Sequence, residues 1–271
     1  MPSAVSIGSL QKSGPLDPLE TRILLRHALG ITRIQLITES ERVLSSEEAA
    51  LVASLVQRRR DGEPIAYIIG VREFYGLPFE VTPDVLIPRP ETELLVDLAL
   101  EGLPPEACVL DMGTGSGAIA IALAHQRRDV KVTAIDFSNA ALAVARRNAE
   151  QLGATVEFLH SDWYTALANR QFDLIVSNPP YIVSGDPHLA QGDLRFEPVD
   201  ALTDHADGLS ALRSVIRGSP ARLTDGGRLL VEHGYNQSDT VRRLLTTHGF
   251  MKVQSWRDLA GIERVSGGGR P

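Results

Sequence analysis

The chain has 271 residues and a formal net charge of −7 at neutral pH, with 43% hydrophobic and 23% charged residues. This length and composition predict one large or two small globular domains with a sizeable core. The acidic balance disfavours a general binder of duplex DNA, because phosphate contacts supply most non-specific affinity.

Targeting and redox signals are weak in this sequence. No apolar run is long enough for a membrane span, and the N-terminus lacks the basic and apolar segments of a signal peptide. The single cysteine, Cys108, lies in an apolar stretch and is expected to be a buried structural thiol. We therefore expect a cytoplasmic protein that does not associate with membranes.

Residues 1–70 are predicted to form a small helical bundle. Apolar residues recur at helical spacing from Pro18 to Leu29, and Ser46 begins a second, capped amphipathic segment. The only basic triplet, Arg58–Arg60, ends that segment, where cations suit a solvated helix terminus.

Residues 71–90 are predicted to be a hairpin followed by a linker. Aromatic residues surround Gly76 and Pro78, which is typical of a short β-hairpin. Three prolines, the last of them Pro90, stiffen the connection that follows. A helix is predicted from Glu91 to Leu100 because its leucines share one face.

Strands and helices alternate through most of residues 91–271, which predicts a largely parallel sheet with helices on both faces. The predicted strands are 108–112, 131–135, 155–159, 172–177, 227–232 and 250–256. The predicted helices are 117–126, 138–152, 209–223 and 236–248. The last two apolar runs lie close together, which predicts an antiparallel strand near the end. The tail at Gly267–Gly269 is expected to fray.

A glycine-rich loop follows the first strand of this predicted sheet. Its residues are Gly113, Thr114, Gly115, Ser116 and Gly117. Glycine lets the backbone approach a ligand closely, and the helix N-terminus beside it favours a hydrogen-bond acceptor. Asp136 ends the next strand, 21 residues after Gly115. A carboxylate there can accept hydrogen bonds from both hydroxyls of a ribose.

The loop differs from a dinucleotide fingerprint, since its glycines run G-x-G-x-G and Asp111 stands just before them. Asp111 would repel a pyrophosphate but would favour a cationic amino acid or a sulfonium. This pattern predicts S-adenosylmethionine rather than NAD. After the third strand, Asp162 is expected to accept from the adenine amino group and Trp163 to pack on the ring. The alternative is a capping aspartate and a half-buried tryptophan.

The sequence Asn178, Pro179, Pro180, Tyr181 follows a buried strand, so it begins a loop at the edge of the sheet. Two prolines fix φ and remove two backbone donors, which leaves a stiff loop with carbonyls free to accept. An amide precedes them and an aromatic ring follows. This set suits a planar group that carries an NH2.

Several segments together resemble one known family. They are residues 58–67, 70–75, 86–93, the loop at 113–117, residues 161–163, 177–181 and 191–198, and Glu232–Gly234. Over nearly its full length the chain resembles the class I methyltransferases that modify the side-chain amide nitrogen of glutamine in bacterial peptide chain release factors (the HemK/PrmC family). The segment Ser266–Gly269 departs from the family by being less apolar than its usual closing strand.

The resemblance implies a helical N-terminal domain for substrate recognition, joined by a hairpin to a seven-stranded, Rossmann-like catalytic domain. It implies a release factor as the substrate, methylated at the glutamine of its Gly-Gly-Gln loop with S-adenosylmethionine as donor and S-adenosylhomocysteine as product. Two alternatives stay open, because the tetrapeptide also occurs in enzymes that modify a glutamine of a ribosomal protein and in adenine methyltransferases of nucleic acid. No direct contact with nucleic acid is expected.

The expected mechanism relies on positioning, because an amide nitrogen is a poor nucleophile. The side-chain oxygen of Asn178 and the carbonyl of Pro179 are expected to accept the two N–H protons and to stabilise charge as the methyl transfers. Tyr181 is expected to cover the amide, and Pro180 to shape the substrate pocket. Asn178 is also counted with the cofactor site. No metal is required, and His160 and His233 are expected to be structural.

Overall fold

The computed structural model describes residues 5–271. Its contacts divide the chain into two compact units, one ending at Gly70 and the other beginning at Val71. Within residues 5–271, no helix is both long enough and apolar enough to cross a bilayer.

Five helices lie within residues 5–70, the described part of the first unit. They are α1 Ile7–Ser13, α2 Pro18–Leu29, α3 Arg33–Thr38, α4 Ser46–Arg60 and α5 Ile65–Ile69. The α4 helix begins at a reciprocal cap, in which the Ser45 hydroxyl accepts from the Glu48 N–H and the Glu48 carboxylate accepts from the Ser45 N–H. Buried Leu24 and Leu55 join α2 to α4. The helices predicted at 18–29 and from residue 46 are confirmed.

The second unit begins with the predicted hairpin, formed by β1 Val71–Phe74 and β2 Leu77–Glu80. Tyr75 and Gly76 have φ values of 54° and 75°, as a tight two-residue turn between twisted strands requires. The rings of Phe74 and Phe79 lie 6.1 Å apart, edge to face, within the core of this unit. The hairpin is therefore part of the packed second unit.

Seven strands form the main sheet. They are β3 Cys108–Met112, β4 Lys131–Asp136, β5 Val156–His160, β6 Phe172–Ser177, β7 Leu223–Glu232, β8 Met251–Arg257 and β9 Glu263–Gly269. Their order is β5-β4-β3-β6-β7-β9-β8. Neighbours from β5 to β7 pair in parallel, and β9 runs antiparallel to both β7 and β8. The predicted seven-stranded, mostly parallel sheet is confirmed.

Helices cover both faces of this sheet. They are α6 Glu93–Leu100, α7 Ala118–Gln126, α8 Asn139–Leu152, α9 Val199–Leu202, α10 Ser210–Gly218 and α11 Ser238–Thr247. Short 3-10 turns occupy Pro90–Thr92, Thr165–Leu167, Pro187–Ala190, Gly192–Phe196 and Ser219–Ala221. Along β7, Leu230 joins the core with α6 and α7, while Leu229 and Val231 join the core with α10 and α11. Parallel strands covered on both faces need this near-continuous apolar character.

Three sequence-based expectations need correction. The tail at Gly267–Gly269 does not fray but forms the end of β9, paired on both sides. The backbone of Leu229 runs so close that a Cβ on Gly267 would lie 2.4 Å from its carbonyl oxygen. Cys108 is half-buried rather than buried. The helix predicted at 209–223 ends at Gly218, because Pro220 lies in the 3-10 turn that follows.

Candidate active site

The residues predicted for the site converge on one edge of the sheet. The glycine loop follows β3, Asp136 ends β4, Asp162 follows β5 and Asn178 follows β6. Met112 and Ser177 are paired in the sheet, and the Ser177 hydroxyl donates to the Met112 carbonyl at 2.8 Å. The glycine loop and the tetrapeptide therefore leave the sheet side by side, where ligands of open α/β sheets bind.

The glycine loop is held by its own backbone. The N–H groups of Gly113 and Thr114 both donate to the Ile135 carbonyl, at 2.9 and 3.0 Å. The Gly115 N–H donates to Asp136 Oδ2 at 2.8 Å. Gly117 has a φ of 83°, and a Cβ there would lie 2.8 Å from Ile121 Cδ1. Glycine is thus needed at position 117 for both its conformation and its space.

Asp111 lies inside β3 and is fully buried. Its Oδ2 accepts from the Thr114 hydroxyl at 2.7 Å and from the Ala120 N–H at 3.2 Å, while Oδ1 has no hydrogen-bond partner. Burial raises the pKa of Asp111 to about 7, although these two hydrogen bonds oppose the shift. Asp111 therefore fastens the loop to α7 and keeps one oxygen uncommitted.

Asn148 of α8 contacts the glycine loop, although its sequence position does not predict this. It is fully buried, and its Nδ2 donates to the Ser116 carbonyl at 2.9 Å. The same amide exchanges two hydrogen bonds with the Glu80 backbone, at 2.7 and 3.0 Å. One side chain thus joins the glycine loop to the end of the hairpin.

Asp136 uses both carboxylate oxygens within the protein. Oδ2 accepts from the Gly115 N–H and Oδ1 from the Ser138 N–H, each at 2.8 Å. Burial raises the pKa of Asp136 above its ordinary value, and the same hydrogen bonds oppose the shift. The next residue, Phe137, is 68% exposed at the carboxyl edge of the sheet, with its ring 6.2 Å from that of His160. Phe137 was not among the residues predicted for the site, although an aromatic residue directly after Asp136 is a visible signal in the sequence.

Asp162 and Trp163 follow β5 beside this edge. The Ser161 N–H donates to the Asp136 carbonyl at 3.0 Å, which holds the start of this loop against the end of β4. The Asp162 side chain is exposed. Trp163 is half-buried with a φ of 47° and packs against the core that contains α10 and α11.

The tetrapeptide is anchored from several sides. Asn178 Nδ2 donates to the Thr92 hydroxyl oxygen at 3.2 Å. Pro179 is buried and Pro180 is half-buried. The Tyr181 hydroxyl donates to Glu232 Oε1 at 3.4 Å, a long contact, and burial raises the pKa of this phenol.

Glu232 is the last residue of β7, and His233 follows it, just behind the tetrapeptide. Glu232 is 1% exposed, its Oε2 has no hydrogen-bond partner, and burial raises its pKa to about 7. His233 is fully buried between the Gly234 carbonyl at 3.0 Å and the Ser266 hydroxyl at 2.8 Å. Burial lowers the pKa of His233. Its contacts are those of a structural histidine, whereas Glu232 faces the tetrapeptide.

A second buried amide positions the backbone of Tyr181. Gln237 Nε2 donates to the carbonyls of Tyr181 and Gly208, both at 3.0 Å, and its Oε1 accepts from the Gly234 N–H at 2.8 Å. A Cβ on Gly208 would lie 2.6 Å from the Tyr181 carbonyl oxygen. The loop after β6 is therefore fixed by its neighbours, in addition to its prolines.

The Glu197 side chain anchors the 191–198 segment. Its carboxylate accepts from the Ile87 N–H at 3.0 Å and pairs with the Arg89 guanidinium. The Glu197 side chain is buried, whereas that of Arg89 is partly exposed. This ion pair ties the segment to residues 86–93.

Comparisons with known families match both units. Residues 91–192 match the family model described as the methyltransferase small domain, and residues 8–70 match the PrmC N-terminal domain. The release factor glutamine methyltransferase of Burkholderia pseudomallei is 53% identical, covering 100% of this chain and 98% of the relative. That of Escherichia coli is 46% identical, covering 91% and 90%.

Solved structures agree on the fold. A methyltransferase from Pyrococcus furiosus aligns with a TM-score of 0.57 at 19% identity, over 80% of this chain and 98% of that one. A 16S rRNA N2 G1207 methyltransferase from T. thermophilus, solved with AdoMet and guanosine, aligns with a TM-score of 0.55 at 24% identity, over 74% and 50%. At these identities the likeness concerns the fold alone.

Proposed function

This chain belongs to the release factor glutamine methyltransferase family, and from that membership we infer that it methylates a glutamine side chain of bacterial peptide chain release factors. The main support for this inference is the orientation of the Asn178 side-chain amide. Its NH2 is engaged by Thr92, so its oxygen is left to accept from a substrate amide. We place the reaction in the cytoplasm, where translation ends.

The glycine loop and its neighbours fit S-adenosylmethionine. The unpartnered, buried Oδ1 of Asp111 lies beside the loop and suits a cationic ammonium group. The Asp136 carboxylate accepts from backbone N–H groups and retains lone pairs for ribose hydroxyls, since each carboxylate oxygen can accept more than one hydrogen bond. Phe137 offers an exposed ring beside Asp136 for the adenine, with Trp163 and Asp162 at the end of the neighbouring strand. When bound, S-adenosylmethionine supplies an electrophilic methyl group.

The loop is poorly suited to a pyrophosphate. Phosphate-binding loops present free backbone N–H groups to the ligand. Here the N–H groups of Gly113, Thr114, Gly115 and Gly117 all donate within the protein. This backbone arrangement supports the preference for S-adenosylmethionine over NAD that the position of Asp111 suggested.

The tetrapeptide supplies the acceptor half of the reaction. Asn178 Oδ1 and the Pro179 carbonyl oxygen accept the two N–H protons of the glutamine amide, which orients its nitrogen and stabilises the positive charge that develops there. Tyr181 borders the amide and limits the access of water. Pro180 stiffens the loop, so these groups are held in place before the substrate binds.

The expected substrate is a protein rather than a nucleic acid. A base would have to leave its stack before its amino group reached the tetrapeptide, and its backbone would require cationic contacts. The net charge of −7 gives no general attraction for phosphate. The family membership assigns the substrate to the release factors.

Replacing Asn178 tests this proposal. In Asn178→Ala, we expect methyl transfer to a release factor to fall about 100-fold or more, because a positioned polar group at a reacting centre contributes this much. Cofactor affinity measured by calorimetry should stay within a few fold. Labelled S-adenosylmethionine is the donor, and release factor, ribosomal protein and DNA are offered in parallel.

Asn169→Ala is the matched control, since this asparagine is exposed on the loop before β6. It should transfer methyl at the wild-type rate. Full activity of Asn178→Ala would reject the assigned role, and transfer by the wild-type protein only to ribosomal protein or to DNA would reject the proposed substrate.

A further inference from the structure

The two ends of the Asn178 amide differ in chemistry, and only one of them can serve the reaction. An amide oxygen accepts hydrogen bonds, whereas an amide NH2 donates. A glutamine NH2 meets an acceptor only if Asn178 Oδ1 faces it. Asn178 Nδ2 donates to the Thr92 hydroxyl oxygen at 3.2 Å, which turns Oδ1 away from Thr92.

Thr92 is well placed to hold this orientation. It ends the 3-10 turn Pro90–Thr92 and is 5% exposed, so its hydroxyl has little contact with water. A hydroxyl both donates and accepts, and by itself it does not favour either end of an amide. The direction of the Thr92 proton therefore decides which end of Asn178 it binds.

Glu232 provides the destination for that proton. Thr92 lowers the pKa of the Glu232 carboxyl, as a hydroxyl directed toward a carboxylate does, and the Tyr181 hydroxyl lies 3.4 Å from Glu232 Oε1. Glu232 Oε2 is buried and has no hydrogen-bond partner, so the carboxylate retains the capacity to accept. A carboxylate accepts only, which directs the Thr92 proton toward Glu232 and leaves the Thr92 oxygen for Asn178.

We propose that Thr92 is a positioning residue that holds the Asn178 amide with Oδ1 toward the substrate, and that Glu232 sets the direction of the Thr92 hydroxyl. This inference rests on the proposed function, because it assigns a direction to the acceptor that the reaction needs. It adds two residues to the site, neither of which touches the reacting atoms.

The arrangement depends on the charge of Glu232. Burial raises the pKa of Glu232 to about 7; Thr92, Tyr181 and Arg264 oppose this shift, and Glu91 adds to it. The buried His233 follows directly after this strand, and burial lowers its pKa. Once protonated, Glu232 donates to Thr92, whose own proton then turns toward Asn178 and favours the reversed amide. Activity should therefore fall as the pH drops below about 7.

Removing the Thr92 hydroxyl without changing its shape is the first test. In Thr92→Val, kcat for methyl transfer to a release factor should fall about 10-fold, as expected for one lost hydrogen bond. The Kd for S-adenosylmethionine should stay within about twofold, because Thr92 lies behind the acceptor. Thr92→Ser keeps the hydroxyl and should recover most of the rate.

Thr133→Val is the matched control, because Thr133 in β4 is also buried, at 3% exposed, and its hydroxyl contacts Glu157 and Arg170 rather than a residue of the site. It should leave kcat unchanged. Equal kcat in Thr92→Val and wild type would overturn the inference, as would an equal loss in Thr92→Val and Thr92→Ser. If the wild-type protein itself failed to methylate a release factor, the proposed function would fall first.

Glu232→Gln is the second test and remains informative if Thr92→Val does not fold. Residue 232 of this variant cannot ionise, so the rate at saturating S-adenosylmethionine should be lower than wild type at pH 8 and nearly constant between pH 6 and pH 8. The wild-type rate should fall over the same interval as Glu232 becomes protonated. Parallel pH profiles for the two proteins would overturn the role of Glu232.

Discussion

Two carboxylates beside the glycine loop do different work. Asp111 is fully buried and holds the glycine loop against α7, because it accepts hydrogen bonds from the Thr114 hydroxyl and the Ala120 N–H. Asp136 lies at the end of β4, accepts from the loop at Gly115 and remains partly accessible. Ribose recognition is therefore expected of Asp136, while Asp111 contributes through loop geometry and its uncommitted oxygen.

Asp136→Asn is expected to weaken cofactor binding about 10- to 100-fold, because hydrogen bonds to a charged acceptor contribute about 1.5–3 kcal/mol. In the variant, the amide NH2 faces the N–H of either Gly115 or Ser138. Because both of these groups are donors, one of the two hydrogen bonds is lost. Calorimetric titration with S-adenosylmethionine measures the effect. Asp162→Asn, at an exposed side chain, should lose no more than about threefold; equal losses in both variants would contradict this assignment.

At the scale of elements, local patterns predicted most of the fold. The α2 helix and strands β3 and β6 have the predicted bounds, because their apolar periodicity and flanking caps are encoded within each segment. Strand β9 was missed, since Ser266 and three glycines give no apolar signal. Their burial comes from the neighbouring strands, whose backbones approach closely only because these residues are small.

The same reason explains which site residues were missed. The glycine loop and tetrapeptide are contiguous motifs, and the sheet brings them together as predicted. Thr92, Asn148 and Glu197 have partners 86, 68 and 110 residues away in the sequence. No local pattern reveals such a contact, so these three residues required the structure.

Gly267→Ala tests the packing of β9. The added Cβ would lie 2.4 Å from the Leu229 carbonyl oxygen and 2.6 Å from Leu230 Cδ2, so the free energy of unfolding should fall by about 1–3 kcal/mol. Gly269→Ala is the control on the same strand, because its nearest neighbour would be 4.0 Å away. Its effect should be within about 0.5 kcal/mol. Coincident urea unfolding curves for the two variants would show that β9 is not packed as described.

At the scale of the whole molecule, stability depends on carboxyls that the fold buries. Asp111 and Glu232 both have pKa values raised to about 7 by burial. A carboxyl with a raised pKa stabilises the folded chain at low pH, where it is protonated, and that contribution is lost as the pH rises through the folded pKa. At neutral pH the buried Asp111 and Glu232 therefore contribute less to the stability of the folded chain than at low pH.

Asp111→Asn is expected to reveal this cost. Its amide oxygen can still accept from Thr114 and Ala120, and it cannot ionise. The stability of the variant relative to wild type should therefore grow between pH 5 and pH 7, by up to about 3 kcal/mol, and then level off. Urea denaturation at each pH measures the difference, to which Glu232 contributes equally in both proteins. A difference that did not change with pH would contradict the raised pKa.

The position of β9 in the sheet also determines when β7 can pair along its second edge. Residues 263–269 lie between β7 and β8, although both of those strands come earlier in the sequence. During synthesis on the ribosome, the edge of β7 stays unpaired until these late residues emerge, and unpaired edges invite aggregation. The pairing of β7, the strand that carries Glu232, with β9 therefore forms only after the glycine loop and the tetrapeptide have been synthesised.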